Sequence, residues 1–283
     1  MAKEIFFFLY RDVLIGLSSL RYRFLFCLMM FTAMAILSVY QLQTSAELLG
    51  MERNMLTYTD LLFSLFQGVD YEIVEKKFLP FPFSWFLLQM MIPFLLGAYA
   101  RDDLFLHTSF LFVRAKRRLS IWLAKVLFSL LAVILVFLSF LAVSWLIAVV
   151  FFSPDIGFRE YGDAKIKPAI GGGWTAVRLT WLTIAFPFLL NLCGAAVYTM
   201  FSLLIRPVYL FLIFASIYIL SVYSANPLLP GSYGMILRHG MFDPARGFSA
   251  AACVMYFSVT LLAAGVIGYR LFKRADILYF GKD

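Results

Sequence analysis

Apolar residues in this chain run in long blocks, and the charged residues are gathered between the blocks. Six intervals free of Asp, Glu, Lys and Arg are long enough to cross a bilayer once: 24–46, 78–100, 126–154, 179–205, 207–237 and 247–269. A crossing helix needs about 20 apolar residues. The fifth interval reads as a span over about 207–224 followed by a polar loop, ANPLLPGSYG. An even number of crossings puts both termini on one side. The pattern predicts an all-α polytopic membrane protein with six transmembrane helices, organised as a single transmembrane domain over 1–283. Glu4, Arg11 and Asp12 break the first apolar run, which argues against a cleavable signal peptide.

Two segments outside these intervals carry a pattern of their own. In AKEIFFFLYRDVLIGLSSLRYR the polar residues Glu4, Arg11, Asp12, Ser18 and Ser19 fall on one narrow helical stripe, opposite a wide Phe/Leu/Ile face. That predicts an interfacial helix over 1–22, lying flat in the headgroup region, with the first span beginning near Arg23; a short extra transmembrane segment is the competing reading, and the charges in mid-run argue against it. Residues 101–118 open on Asp102 and Asp103 and close on Arg114, Lys116, Arg117 and Arg118. Acids favour a helix N-terminus and bases its C-terminus. The apolar run between them is too greasy for a solvated loop and too short to span. The basic cluster taken alone is also a positive-inside stop; the whole segment reads as a helix in the interface that docks on something.

Composition agrees with the pattern: 63% of residues are hydrophobic and 14% charged, against roughly a quarter charged in a soluble domain. The three cysteines, Cys27, Cys193 and Cys253, all lie in apolar runs and read as small hydrophobes. Charge placement sets the orientation. Of the 24 Lys and Arg residues, 15 fall in the termini, in 101–125 and at Arg206. Positive residues mark the cytoplasmic side, so both termini and 101–125 are expected there, in a bacterial cell membrane.

These features together resemble the permease subunit of an ABC transporter of the ABC-2 (type V exporter) family. In that family the segment after span two starts with acidic residues, continues as a coupling helix, and ends in a basic turn followed by a lysine at the start of span three. Asp102 and Asp103, then 104–113, then VRAKRR, then Lys125 in IWLAKVL take those places. YRLFKRADIL resembles the basic C-terminus common in these permeases. The proline often found before the basic turn is absent, Val113 and Ala115 flanking Arg114 instead.

The resemblance implies a non-catalytic half-transporter, exporting a small molecule, peptide or lipid-like substrate. It would pair with a second permease chain through spans one and five, and with two ATP-binding cassette subunits that hold ATP and Mg. On this reading Phe105, Phe110 and Phe112 supply contact area to an ATPase, and Asp102, Asp103, Arg114, Arg117 and Arg118 set its orientation. A sensor, immunity or assembly protein of the same topology, and a secondary transporter, are the other classes open.

The remaining chemistry is sparse. No GxxxxGK[ST] loop is present, and the GGG at 171–173 lacks the lysine a phosphate cradle needs. No nucleic-acid partner is expected. No uncharged interval contains a carboxylate by construction, so the spans lack the usual proton or sodium relay. His107 and His239 are assigned to opposite sides of the membrane and read as loop or surface histidines. Gln89, Thr183 and Asn191 are candidates for lining a path, or for hydrogen bonds between helices. The stretch YTDLLFSLFQGV predicts a short helix resting on the outer leaflet, and 155–168 an exposed loop. Small residues at Gly194, Ala195, Ala196, Ala264 and Gly268 predict close helix packing.

Overall fold

Helix α1 runs without a break from Ala2 to Leu48. At 1.5 Å per residue its 47 residues extend about 70 Å, more than twice the roughly 30 Å of a hydrocarbon layer. The computed structural model describes residues 1–52, 55–71, 81–106, 114–115, 117–170, 175–224 and 226–274. In chain order the further helices are α2 (Tyr58–Phe66), α3 (Phe83–Leu96), α4 (Tyr99–Leu106), α5 (Arg118–Phe151) and α6 (Glu160–Lys165). They are followed by α7 (Ala176–Phe201), α8 (Pro207–Tyr223), the short α9 (Pro230–Tyr233) and α10 (Ala250–Arg274). Among the described residues there is no strand, only two isolated bridges. The protein is an all-α membrane protein.

Among the described residues, five helical segments are long and apolar enough to cross a membrane: Ala2–Leu48, Phe83–Asp103, Arg118–Phe151, Val177–Phe201 and Ala250–Arg274. The remaining apolar helix, α8, has 17 residues, about 25 Å. Its end is set by a buried side chain far along the sequence. The Arg238 guanidinium donates to the carbonyls of Ser221 (2.6 Å), Val222 (2.7 Å) and Ser224 (3.0 Å), and to Val69 (3.1 Å). A cation over unsatisfied helix carbonyls satisfies both the charge and the carbonyls.

The interfacial reading of residues 1–22 is corrected. No break separates them from the first span, and the charged middle of the stripe faces inward: Arg11 and Asp12 are buried, while Ser18 and Ser19 are exposed together with Phe6, Phe7, Tyr10, Leu14 and Ile15. The stripe was the right feature, but its charges find partners inside the protein rather than in water. α2 is likewise buried on almost every side instead of resting on a leaflet, and within 155–168 the side chain of Tyr161 is buried. α1 packs most extensively along α5, with Phe31 and Phe140 stacked at 4.1 Å.

The small residues sit at helix contacts. Ala195, Ala196 and Ala264 are buried, and Gly268 on α10 lies under Trp122, whose indole N–H donates to the Gly265 carbonyl at 3.0 Å. A Cβ at 268 would come within 2.2 Å of the Trp122 ring, while one at 265 meets open space. Gly268→Val is therefore expected to lower stability by about 1–3 kcal/mol through overpacking, and Gly265→Ala to be tolerated. Thermal melts of the two purified variants in detergent check this, and equal melting shifts would contradict it.

Candidate functional site

Helices α1, α4 and α5 meet at the end of the bundle that holds the chain's start and the end of α10. Four charged side chains are enclosed there. Arg11, on α1, makes a two-pronged pair with Asp103, Nη2 to Oδ1 at 2.7 Å and Nη1 to Oδ2 at 3.1 Å, and reaches Asp12 Oδ1 at 3.0 Å. Lys125 Nζ, from α5, donates to Asp12 Oδ1 at 2.8 Å and to Asp103 Oδ2. Two cations and two carboxylates balance. Lys125 and Asp12 are each 1% exposed, so balance is a requirement: an unpaired charge here would cost several kcal/mol.

The surroundings hold the four groups in place. Tyr99 lies with its ring 5.2 Å from Lys125 Nζ, and its hydroxyl donates to the Asp12 carbonyl at 3.3 Å. Gly16 lets Phe128 and Tyr99 close over the cluster, since a Cβ there would fall within 2.3 Å of the Phe128 ring. One helical turn from Lys125, Ser129 donates to the Lys125 carbonyl and shares a hydrogen bond with Thr199 of α7 at 2.7 Å. At the same end Ser120 donates to Glu4 at 3.1 Å, and Arg118 donates to the Lys273 carbonyl at 2.8 Å. The first turn of α5 is thereby tied to the start of α1 and to the end of α10.

This arrangement ties three helices together. Asp103 is held by cations from two other helices, so α4 cannot shift without dragging α1 and α5 or exchanging ion-pair partners. Among the described residues no group of three or more His, Cys, Asp and Glu side chains could hold a metal.

The expected docking residues divide into three sets. Asp102 is exposed, as are Arg114, Arg117 and Arg118. Asp103 departs from the expectation of a surface role, because it is 4% exposed and committed to Arg11 and Lys125. Residues 107–113, with Phe110 and Phe112, and the side chain of Phe105 lie outside the described residues.

The candidate path residues are all interior. Thr183 donates to the Leu179 carbonyl and Asn191 to the Pro187 carbonyl, both at 2.8 Å within their own helix. Both side-chain polar atoms of Gln89 and the Asn191 Oδ1 are buried without a hydrogen-bond partner. His239 is not a surface residue: it stacks on Phe186 at 3.9 Å, and burial pushes its pKa down to about 4, leaving the ring neutral.

Sequence reasoning missed Tyr99 and Arg238, and it missed that Arg11, Asp12 and Lys125 share one site. The available signal was charge inside an apolar run, which demands a partner. A neutral four-charge cluster makes a sharp prediction. Lys125→Met leaves a buried net negative charge and should cost about 3–5 kcal/mol, whereas Lys125→Met combined with Asp103→Asn should recover part of that loss. Denaturation of the single and double variants measures the coupling, and strictly additive losses would refute it.

Comparison with known proteins identifies one family. A search of curated proteins and a search of solved structures each return no match. A family profile described as "Protein of unknown function (DUF2705)" matches residues 33–278, which include α2 through α10 and the last third of α1. The chain belongs to that family.

Proposed function

We propose that this chain is the non-catalytic, membrane-spanning subunit of an ATP-driven exporter of the ABC-2 kind, crossing the bilayer six times with both termini and residues 101–125 in the cytoplasm. α8 is the shortest of the six crossings. The observation that carries the reading is the enclosed ion cluster. It joins Asp103, near the start of the segment expected to dock on an ATPase, to the long helices α1 and α5. A push on that segment would reach the membrane-crossing helices through charges that cannot be left unpaired.

The exposed Arg114, Arg117 and Arg118 beside it supply a basic rim for an acidic groove on a partner. Two ATPase subunits would bring ATP and Mg, and a second copy or a relative of this chain would complete the pathway. Exposed apolar side chains on α1 (Phe26, Met29, Leu37) and on α8 (Val208, Leu212, Leu220) offer a face for that second chain. The buried, unpaired polar atoms of Gln89 and Asn191 are groups that a rearranged bundle could present to a polar substrate, since leaving them unmade is costly.

Co-purification in mild detergent tests the reading. An ATPase subunit is expected to remain bound. Two buried rings contribute roughly 3–6 kcal/mol, so Phe110→Asp should abolish association and transport together. Arg117→Glu should weaken association mainly at low salt, where rim charges act. Normal complex formation and normal transport in Phe110→Asp would refute the coupling role.

A further inference from the structure

At the opposite end of the bundle, the start of α2 holds a buried acid that competes with a backbone carbonyl for the one proton of a threonine hydroxyl. Asp60 is 1% exposed. Its Oδ2 accepts from the Thr57 backbone N–H at 2.9 Å and lies 2.8 Å from the Thr57 hydroxyl oxygen. That same hydroxyl lies 2.8 Å from the Gly157 carbonyl oxygen, in the segment that follows α5. A hydroxyl has one proton, and a carbonyl can only accept. If the Thr57 proton goes to Gly157, the short contact with Asp60 needs a second proton, and the carboxyl is the group that can supply it. The other oxygen, Oδ1, is buried with no partner, a state tolerable for the C=O of an acid and costly for a carboxylate.

We infer that Asp60 is a proton-operated latch: as a carboxylic acid it closes the chain Asp60 O–H to Thr57 O–H to Gly157 C=O, and loss of its proton frees the Gly157 carbonyl from the start of α2. In the ionised state the Thr57 hydroxyl turns to the carboxylate and the Gly157 carbonyl loses its donor. A bond from the Gly157 N–H to Thr59 Oγ1 at 3.0 Å, with the backbone bonds of Ser153 to Leu56 and Tyr58, keeps the segment in place, so the latch loosens the chain around Gly157 rather than detaching it.

The proton has a route. Asp60 lines a cavity of about 230 Å³ together with Gln41, Ser45, Gln67, Tyr161 and Lys165. Among the described residues, the titratable groups facing Asp60 are Asp163 and Tyr161 on α6, with Lys165 lining the same cavity. α1 brings Gln41 and Ser45, α7 brings Thr180, and α5 presents Ser144 to Tyr58, none of which titrates. Asp155 and Arg159, on either side of Gly157, pair with each other at 2.5 Å on the surface.

Burial, the largest influence, raises the Asp60 pKa from 3.8 to about 6 against the opposing Thr57 hydrogen bonds, and Asp163 adds to the rise. A raised folded-state value means the stabilisation is complete below the ordinary carboxylate value and is lost as pH rises through about 6. One unit below that point there are about ten latched molecules for each open one, and one unit above it the ratio reverses.

A spin label at Ile156→Cys, an exposed position in the segment, reads the latch in the full chain, the native cysteines being buried. Its mobile fraction should rise about tenfold between roughly pH 5 and roughly pH 7, and the rise should vanish in Asp60→Asn. Should that variant fail to fold, Thr57→Val keeps the carboxyl, removes the relaying hydroxyl and should likewise abolish the response, while Thr57→Ser preserves it. An unchanged label spectrum across this window in the otherwise native chain, or a full response in Asp60→Asn or Thr57→Val, overturns the proposal.

Discussion

Charge cannot be left unpaired in an apolar bundle, and that constraint organises the end of this protein where Arg11, Asp12, Asp103 and Lys125 meet. Each of the four was carried into the interior by a helix whose other residues are mostly apolar. Their mutual neutralisation permits α1 and α5 to lie side by side at this end. Without it, the two longest helices of the chain could not share a dry seam. Tyr99 and Gly16 serve the same end, one covering the ammonium and the other allowing the cover to close. Arg238, at the other end of the bundle, spends most of its donors on backbone carbonyls and one on the Ser232 hydroxyl, with Asp70 near enough to favour its charge.

Hydrophobic pattern made the architecture legible, because crossing helices and uncharged intervals obey the same length requirement. Five of the expected intervals correspond to long apolar helices, and the fifth in order to the shorter α8. What pattern could not supply was direction. The polar stripe on the first 22 residues has the same period whether it faces water or protein, and periodicity carries no sign. Only the identity of the partners decides, and Asp103 and Lys125 lie 92 and 114 residues from Arg11 along the chain. The same ambiguity misplaced α2: an apolar nonamer with a capping acid looks alike on a leaflet and inside a bundle.

The functional residues were partly legible for a related reason. Asp102, Asp103 and the basic turn stand out because the rest of the chain is so apolar, and Lys125 stands out as a charge at the start of a span. Asp60 did not stand out, since a Thr-x-x-Asp pair before an apolar run announces only a helix cap. Its second role is a matter of counting protons on one hydroxyl, which requires the position of Gly157, a residue brought close only by the fold.

The unbroken length of α1 has a mechanical meaning. A helix is stiff over this distance, and its two ends touch different parts of the protein: Arg11 and Asp12 near one end, and Leu42 and Ala46 beside the buried α2 at the other. If such a rod tilts by about 5° about one end, its far tip sweeps about 6 Å, given a length of about 70 Å. That is a lever arm. A displacement no larger than an exchange of ion-pair partners at the charged end would arrive at α2 magnified to the width of a helical turn.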